Sequence, residues 1–419
     1  MNHQISITPN RVLHGEKVSI ILNGFLPHQE LSIKAFFTDK ENKTWSSIAT
    51  FKANEEGIVD VQKDAPLSGS YQGVEPMGLF VYMEEENTKE KVAFWEKGLH
   101  ETVVKFSVLA DGKEVATNTL ARYILEPTIR QETLPNGLQG TLFLPHDKPN
   151  KKVLICLSGS DGGIPNELAA TFASHGLASV SLGYFSHEGL PKNLSQIPME
   201  YFKKALDFLG THPETKGAEI AVVGGSRGGE LALLLASRYA QISSVVAYAP
   251  SHVMWSGYGD YKEMKRSSWS YKGKELPFVQ VKMSLGAMFR YFFSKKPIEF
   301  TSTFLNSLKK EVKEEAIIAV ENIKGEVLLI SGEDDQMWCS TLMANRVMSR
   351  LKKHNFAYGY EHLTYPNAGH FITIPYYPST HKNVVHPHDK KVYALGGSTV
   401  GDLRASEDSW VRVLAFLKR

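Results

Sequence analysis

From residue 152 onward, continuous apolar runs of six to eight residues alternate with segments of helical periodicity, and this alternation limits the possible folds most strongly. Runs that are apolar at every position are typical of parallel strands covered on both faces of a sheet. The apolar runs lie at 152–158, 178–185, 219–224, 243–249 and 326–331. The helical segments lie at 166–176, 199–212, 227–239 and near 407–418. The pattern predicts an open, mostly parallel α/β sheet flanked by helices.

The first 125 or so residues have almost no helical periodicity and contain short runs rich in β-branched and aromatic residues. Runs of this kind occur at 17–22, 31–37 and 102–110. Asp111-Gly112 follows the last run directly and is typical of a two-residue hairpin turn. We therefore predict an all-β, immunoglobulin-like sandwich over residues 1–125.

A second domain is predicted over residues 126–419. It begins with a hairpin around 135–137, whose return strand is 140–145. Residues 251–320 interrupt the strand–helix alternation and are rich in lysine, tryptophan, tyrosine and phenylalanine. A long insertion above the carboxyl edge of such a sheet is where lids and substrate pockets usually lie, so we predict a lid there.

Composition excludes several classes of protein. The net charge of +2 at pH 7 gives no reason to expect a nucleic-acid partner. No run approaches the ~20 apolar residues that a membrane-spanning helix needs. Two cysteines, Cys156 and Cys339, do not make a disulfide framework, which favours a reducing compartment. Because the amino terminus lacks the apolar core of a signal peptide, we expect a cytoplasmic protein.

The stretch AVVGGSRGGELALLLAS (221–237) runs from a predicted strand through a glycine cluster into a predicted helix. A phosphate-binding P-loop needs lysine straight after its last glycine, but here Gly229 is followed by Glu230, whose carboxylate would repel phosphate. The dinucleotide fingerprint needs glycine at its third position, which is occupied by Ser226 when counted from Gly224. Both phosphate-binding interpretations fail.

Residues 224–228, GGSRG, fit the G-x-S-x-G nucleophile elbow, in which a sharp strand-to-helix turn exposes a reactive serine. Side chains two residues either side of the serine would collide with the neighbouring strand or helix, which explains the two glycines. Ser226 is thus a candidate nucleophile, and a plain strand–helix turn is the alternative. A serine hydroxyl needs a base that is itself oriented by a third group.

Chain order then indicates the partners of Ser226, since this elbow is followed by an acid and then a histidine. Asp334 and Asp335, in GEDD, follow the end of the strand 326–331, and His370 lies in the turn of PNAGHF. We favour Asp335 as the orienting acid and leave Asp334 open. For each of these residues alone, a solvated turn or a structural role is the competing interpretation.

Catalysis by serine also needs two donors for the negative charge that develops on the carbonyl oxygen. The backbone N–H of Arg227, the residue after the nucleophile, is the first candidate. The second is expected in the loop SGSDGG (158–163), where we select the backbone N–H of Ser160. The alternative is that this loop is a simple turn whose glycines allow a left-handed backbone.

With these motifs placed, the chain resembles the acyl-CoA thioesterase and bile acid-CoA:amino acid N-acyltransferase family nearly from end to end. Segments similar to those of the family occur in both predicted domains. They are GSYQGVEPMGLF (69–80), LGYFSHEGLP (182–191), GGSRGGELALLLAS (224–237), ISGEDDQMW (330–338), PNAGHFITIPYYP (366–378), LGGS (395–398) and SEDSWVRVLAFL (406–417).

The resemblance implies a β-sandwich followed by an α/β-hydrolase domain that acts on acyl-CoA thioesters, a small-molecule substrate. It implies that Ser226 is the nucleophile, His370 the base and an aspartate of GEDD the orienting acid. The bile-acid conjugating branch has cysteine as nucleophile, whereas this chain has serine. A serine acyl-enzyme is an oxoester, which reacts less readily with amines and is passed to water, so we expect a thioesterase.

Other activities remain open at this point. The same residues suit acyl transfer from acyl-CoA to an amino acid or other amine, a CoA-independent carboxylesterase, or an inactive hydrolase domain in a binding protein. The basic, aromatic segment 261–274 is either a solvated surface or a contact for the phosphates of CoA. The sequence gives no indication of the oligomeric state.

No cofactor and no metal are predicted. The histidine-rich segment 381–389 brings His386, His388 and Asp389 close together. Pro387 separates the two histidines and nothing nearby completes a ligand set, so an exposed loop is the favoured interpretation.

Overall fold

The amino-terminal strands form two sheets in the computed structural model, which describes residues 3–88, 91–94, 98–146, 151–260, 262–294, 296–309 and 312–419. The chain divides into two compact units, the first made of residues 1–126 and 374–382 and the second of 127–373 and 383–419.

The described part of the first unit contains ten strands and one helical turn. The elements are β1 (Gln4–Thr8), β2 (Arg11–Leu13), β3 (Ser19–Asn23), β4 (Glu30–Thr38), β5 (Thr44–Lys52), β6 (Val59–Asp60), β7 (Ser68–Gly69), α1 (Gly78–Val81), β8 (Glu84–Glu85), β9 (Thr102–Ala110) and β10 (Lys113–Tyr123). One sheet has the order β1-β3-β6, and the other has the order β2-β10-β9-β4-β5-β7, with β8 also paired to β5. The predicted all-β character of this region is confirmed.

Alternation of apolar and polar residues determines which side of each strand is buried. In β9, Val104, Phe106 and Val108 are almost fully buried, whereas Lys105 between them is exposed. The predicted hairpin after β9 is confirmed by the antiparallel pairing of β9 with β10. Asp111 and Gly112 have φ of 51° and 74°, the positive values that a tight turn matching the strand twist requires.

Residues 374–382 lie far along the chain but belong to the first unit. The Ser379 N–H donates to the Val81 carbonyl over 2.9 Å, and the Thr380 hydroxyl donates to the Met83 carbonyl over 2.7 Å. Arg122 donates to the Tyr376 carbonyl over 2.9 Å. No sequence pattern predicted that this segment adds to the first unit.

Thirteen strands occur in the described part of the second unit, where they form one eight-stranded sheet and two short sheets. They are β11 (Arg130–Thr133), β12 (Gln139–Leu144), β13 (Lys152–Leu157), β14 (Ala178–Gly183), β15 (Ile197–Pro198), β16 (Glu219–Gly225), β17 (Ile242–Tyr248), β18 (Trp269–Tyr271), β19 (Lys274–Glu275), β20 (Glu326–Gly332), β21 (Tyr360–Tyr365), β22 (Asn383–Val385) and β23 (Val392–Ala394). The large sheet has the order β11-β12-β14-β13-β16-β17-β20-β21. From β14 to β21 every pairing is parallel, and β11 and β12 run antiparallel.

Seven helices accompany this sheet in the described part of the unit. They are α2 (Asn166–Ser174), α3 (Met199–Thr211), α4 (Arg227–Arg238), α5 (Leu285–Phe293), α6 (Thr301–Leu308), α7 (Ser340–Lys353) and α8 (Thr399–Leu417). The predicted α/β-hydrolase sheet with flanking helices is confirmed. Strands β13, β14 and β16 are buried along nearly their whole length, as continuous apolar runs require.

The segment between β17 and β20 contains β18, β19, α5 and α6, within the predicted insertion. Among the described residues, no helix is both long and apolar enough to cross a lipid bilayer.

Candidate active site

Ser226 lies at the turn between the end of β16 and the start of α4. Its φ of 56° and ψ of −119° place a non-glycine residue in a sparsely populated backbone region. Such a conformation costs of order 1–3 kcal/mol and persists only where the surroundings enforce it. One constraint is the hydrogen bond of 2.9 Å from the Ser226 N–H to the Tyr248 carbonyl at the end of β17.

Two glycines allow this turn to pack tightly. A Cβ on Gly224 would lie 2.3 Å from the Gly228 carbonyl oxygen, and a Cβ on Gly228 would lie 2.4 Å from the Ser158 carbonyl oxygen. Both separations are far below contact distance. The glycines two residues either side of Ser226 are therefore required because the start of α4 approaches β16 and the end of β13, in agreement with the sequence argument.

Asp335 and His370 are in direct contact. The His370 Nδ1 atom lies 2.9 Å from an Asp335 carboxylate oxygen, and both residues are buried. Because an ionised carboxylate only accepts, Nδ1 is the donor in this contact, and in the neutral imidazole the lone pair is then on Nε2. The carboxylate also accepts from the N–H groups of Met337 and Trp338, at 2.9 and 3.1 Å, and from the Ser340 hydroxyl at 2.6 Å.

The neighbouring aspartate points elsewhere. Asp334 is exposed, and its carboxylate accepts from the Gly397 N–H over 2.9 Å. The geometry thus distinguishes the two aspartates that the sequence left open, since Asp335 is the one that contacts His370.

Close backbone contacts join the acid turn to the histidine turn. A Cβ on Gly369 would lie 2.4 Å from the Gly396 carbonyl oxygen, and a Cβ on Gly396 would lie 1.8 Å from the Asp334 carbonyl oxygen. The His370 N–H donates to the Leu395 carbonyl over 2.9 Å. The segment LGGS (395–398) thus lies between the two turns, which explains its glycines.

The loop 158–163 approaches Ser226 at Gly159. A Cβ on Gly159 would lie 3.6 Å from Ser226 Cβ and 3.4 Å from the Gly225 carbonyl oxygen. Arg227 is the first residue of α4, and the first N–H groups of a helix have no partner within the helix. The two predicted backbone donors, Arg227 and Ser160, therefore belong to segments that meet at the nucleophile turn.

A carboxylate also lies in this loop. Desolvation raises the pKa of the Asp161 carboxyl although the residue as a whole is exposed, and hydrogen bonds from its own N–H and those of Gly159 and Gly162 act in the opposite direction. The charge of His370 also lowers this pKa, which places Asp161 within electrostatic range of the candidate base.

His386 contacts the same loop, which the sequence did not predict. Its Nε2 atom lies 3.0 Å from Ser160 Oγ, and its Nδ1 atom accepts from the His388 N–H over 3.4 Å. Burial lowers the pKa of His386 to about 4, so the ring is neutral at pH 7. Since Nδ1 accepts, Nε2 carries the proton and donates to Ser160, which leaves the Ser160 hydroxyl proton free to point elsewhere. The contact joins residues 226 positions apart, and no local pattern indicates it.

Asp389 is bound by tyrosines. Its Oδ2 atom accepts from the hydroxyls of Tyr258, Tyr291 and Tyr393 at 2.8, 2.9 and 2.6 Å. His388 stacks on Phe185 with ring centroids 5.7 Å apart. No group of three or more metal-ligating side chains with suitable geometry occurs in the part of the chain that the structure describes.

A buried ion pair links the nucleophile turn to the insertion. The Arg227 guanidinium lies 3.2 Å from the Glu230 carboxylate, which also accepts from the Trp269 indole N–H over 2.7 Å. Arg227 also donates to Ser268. Residues 267–270 of the segment 261–274 are therefore buried and structural, whereas its described lysines are exposed, and Tyr261 lies outside the described residues. Arg266 of the same segment pairs with Glu275 over 3.0 Å.

The described residues show no hydrogen bond between Ser226 Oγ and the His370 ring. The arrangement supplies a partly exposed serine on a strained turn, an imidazole whose Nδ1 is held by a buried carboxylate, and helix-start N–H groups. Together these groups suit nucleophilic attack on a carbonyl carbon.

Comparison with known protein families matches both parts of the chain. Residues 197–419 match the model described as the C-terminal part of bile acid-CoA:amino acid N-acyltransferase (BAAT) and acyl-CoA thioester hydrolase. Residues 15–136 match the model for the N-terminal region of the same proteins.

Some relatives that align with nearly the whole chain are named as N-acyltransferases and others as thioesterases. A mouse acyl-coenzyme A amino acid N-acyltransferase 2 is 30% identical over 99% of this chain and 97% of its own length. Human mitochondrial acyl-coenzyme A thioesterase 2 is 29% identical over 96% of this chain and 81% of its own length. Among solved structures, an acylaminoacyl peptidase of Pyrococcus horikoshii aligns with 97% of this chain and 59% of its own, at 13% identity and a TM-score of 0.43.

Proposed function

Since the chain belongs to the acyl-CoA thioester hydrolase and BAAT family, we propose that it hydrolyses acyl-CoA thioesters to free acid and CoA through an acyl-enzyme on Ser226. The observation that carries the proposal is the 2.9 Å contact between His370 Nδ1 and Asp335, which leaves Nε2 as a base. Membership of the family implies an acyl-CoA substrate, and an identity near 30% does not decide between water and an amine as acceptor.

In the proposed mechanism, His370 Nε2 removes the Ser226 hydroxyl proton as Oγ attacks the thioester carbonyl carbon. The backbone N–H groups of Arg227 and Ser160 stabilise the resulting oxyanion. Collapse of this intermediate breaks the carbon–sulfur bond, and His370 returns the proton to the CoA sulfur. Asp335 stabilises the imidazolium throughout.

Deacylation repeats the same steps with water. His370 removes a proton from water, the hydroxide attacks the acyl-enzyme, and His370 protonates Ser226 as the free acid leaves. No step in this cycle requires a cofactor or a metal. An oxoester is less reactive toward amines than a thioester, so the serine nucleophile favours water as acceptor.

The second candidate is acyl transfer to an amino acid. It is favoured by the similarity to a mouse N-acyltransferase. The same residues would form the acyl-enzyme, and only the acceptor would differ.

Product analysis by mass spectrometry distinguishes the two candidates. The chain is incubated with acyl-CoAs of graded length, with and without glycine or taurine, and Ser226→Ala is the control. Free acid plus CoA, lost in the variant and unchanged by amine, supports the thioesterase. An N-acyl amino acid would establish the transferase. No turnover of any acyl-CoA would overturn both proposals, and simple esters would then be tested.

Further parts of the proposal concern the other predicted features. We propose a β-sandwich domain over residues 1–125, a catalytic domain over 126–419, and a lid within 251–320. A cytoplasmic location is part of the same proposal, and it is tested by cell fractionation.

A further inference from the structure

Helix α5 carries an unusual concentration of exposed apolar side chains. Leu285, Phe293, Phe289, Phe292 and Met288 expose 87, 70, 66, 58 and 41% of their surfaces. Elsewhere in the described residues, the exposed large apolar side chains are separated from one another along the chain. A cluster of exposed apolar side chains of this kind is typical of an interaction site, whereas single exposed apolar residues are normal on a protein surface.

The exposed residues lie on one side of the helix. At 100° per residue, positions 285, 288, 289, 292 and 293 share an arc, and the buried Ala287 lies on the opposite side. Ser284 caps the helix, since its hydroxyl accepts from the Ala287 N–H over 3.2 Å. The nine residues thus form a regular amphipathic helix whose apolar arc faces away from the protein.

The inner side of α5 is fixed. The Tyr291 hydroxyl donates to Asp389 over 2.9 Å, and Lys391 lies 5.3 Å from the centroid of the Tyr291 ring. Rotation of the helix to bury its phenylalanines would break both contacts. The exposure of the apolar arc is therefore a consequence of how the helix is anchored.

The charged residues of the helix and its adjoining segments are positive between Glu275 on one side and Glu299 on the other. Residues 276–298 contain no aspartate or glutamate and carry Lys282, Arg290, Lys295 and Lys296. Lys282, Arg290 and Lys296 are exposed and form no ion pair with a described residue. Cations at both ends and on one flank of an apolar arc complement the phosphates of lipid headgroups, with the phenylalanines at the headgroup–acyl boundary.

We propose that α5 docks the protein on a lipid surface that contains anionic phospholipids, with its apolar arc inserted and its cations on the headgroups. A second copy of this chain is a poorer occupant, because a symmetric contact through α5 would place the cations of each copy opposite those of the other. The proposal does not depend on the catalytic role of Ser226, since binding is measured without turnover.

Sedimentation with vesicles tests the proposal on the full chain. We expect wild type to sediment with phosphatidylcholine–phosphatidylglycerol vesicles more than with phosphatidylcholine alone, and less as salt rises. F289S/F293S should reduce binding to the mixed vesicles at least ten-fold. R290Q/K296Q should reduce binding and its salt dependence together. Val411→Ser, which removes an exposed apolar residue of α8, is the matched control and should bind as wild type.

Thermal unfolding establishes that each variant is folded, and Leu285→Gln, at the most exposed position, replaces F289S/F293S if that variant does not fold. Equal binding of wild type and a folded α5 variant would overturn the proposal. So would a wild type that binds neither kind of vesicle. A wild-type dimer in analytical ultracentrifugation that F289S/F293S converts to monomer would assign the surface to a second copy instead.

Discussion

Two adjacent aspartates at the end of β20 have opposite surroundings, and this difference decides which one can assist a histidine. Asp335 is buried and accepts four hydrogen bonds, one of them from His370, whereas Asp334 is exposed. A carboxylate held by backbone donors and a hydroxyl keeps the imidazole in a single orientation. The two aspartates are adjacent in the sequence, but only Asp335 is buried and in contact with His370.

Asp335→Asn should reduce kcat of thioester hydrolysis by about ten-thousand-fold, because an amide donor at this position favours the wrong tautomer of His370. Asp334→Asn should change kcat less than about three-fold, since Asp334 does not contact His370, the proposed base. Steady-state kinetics on one acyl-CoA measures both. A large loss in Asp334→Asn with little loss in Asp335→Asn would reverse the assignment.

The 3.0 Å contact of His386 Nε2 with Ser160 Oγ leads us to propose that His386 positions the loop that carries Ser160. His386→Leu removes the donor to Ser160 Oγ and should reduce kcat by about ten- to a hundred-fold with little change in KM, because loop placement matters most when the oxyanion forms. His386→Asn retains an N–H donor and should recover part of the loss.

The pH profile separates this role from that of the base. Because His386 has a pKa of about 4, it stays neutral above pH 6 and its replacement should lower kcat equally across the profile. A shifted profile in His386→Leu, or equal kcat in wild type and His386→Leu, would contradict the positioning role.

At the scale of elements, the close approach of α4 to the sheet is set by glycines that leave no room for a side chain. Gly228→Ala would place a methyl group 2.4 Å from the Ser158 carbonyl oxygen. We expect the free energy of unfolding to fall by about 1–3 kcal/mol, as for other overpacked sites. Activity should fall as well, since Ser158 leads into the loop 158–163.

Gly210→Ala in α3 is the matched control, because nothing lies within 4 Å of its would-be Cβ. Alanine in a helix should there raise the free energy of unfolding by about 0.5–1 kcal/mol. Urea denaturation of the two variants measures the difference. Gly228→Ala as stable as wild type would show that α4 moves away freely.

Most elements that the sequence predicted correctly depend on patterns of residues that are close together in the chain. Runs of apolar residues, the turn at Asp111-Gly112 and the glycines around Ser226 each determine the backbone within a few residues, and the structure confirms the strands, the hairpin and the strand–helix turn. Helix α7 and strand β21 were not predicted. The buried Met343, Ala344, Val347 and Leu351 of α7 follow helical spacing, a signal that the sequence contained, whereas β21 is mostly polar and gives no such signal. The contact between His386 and Ser160 depends on tertiary packing, which a sequence pattern does not contain.

At the scale of the whole molecule, buried histidines make stability depend on pH. His252 is buried beside Arg346, whose guanidinium donates to His252 Nε2 over 3.1 Å. Burial, with the charge of Arg346, lowers the pKa of His252 to about 3, from 6.5 in the unfolded chain. Its contribution to stability is thus complete above pH 6.5 and is lost as pH falls towards 3.

Between pH 7 and pH 5, wild type should lose about 2 kcal/mol more free energy of unfolding than His252→Gln. Below pH 6.5, each pH unit costs the wild type about 1.4 kcal/mol through His252. Glutamine offers Arg346 an acceptor oxygen but does not titrate in this range. Urea denaturation of both proteins at the two pH values measures the difference. Equal losses would show that His252 does not titrate between folded and unfolded states.

The first unit is completed by residues 374–382, which follow residue 126 by roughly 250 positions. During synthesis at about 5–20 residues per second, the ribosome needs on the order of 10–50 s to bridge that distance. During that time the nascent first unit lacks its last segment, and the carbonyl groups of Val81 and Met83 lack the hydrogen bonds that Ser379 and Thr380 donate to them in the folded protein. The turn that carries His370 and the final piece of the first unit therefore leave the ribosome together, so the first unit is completed only after most of the second has been synthesised.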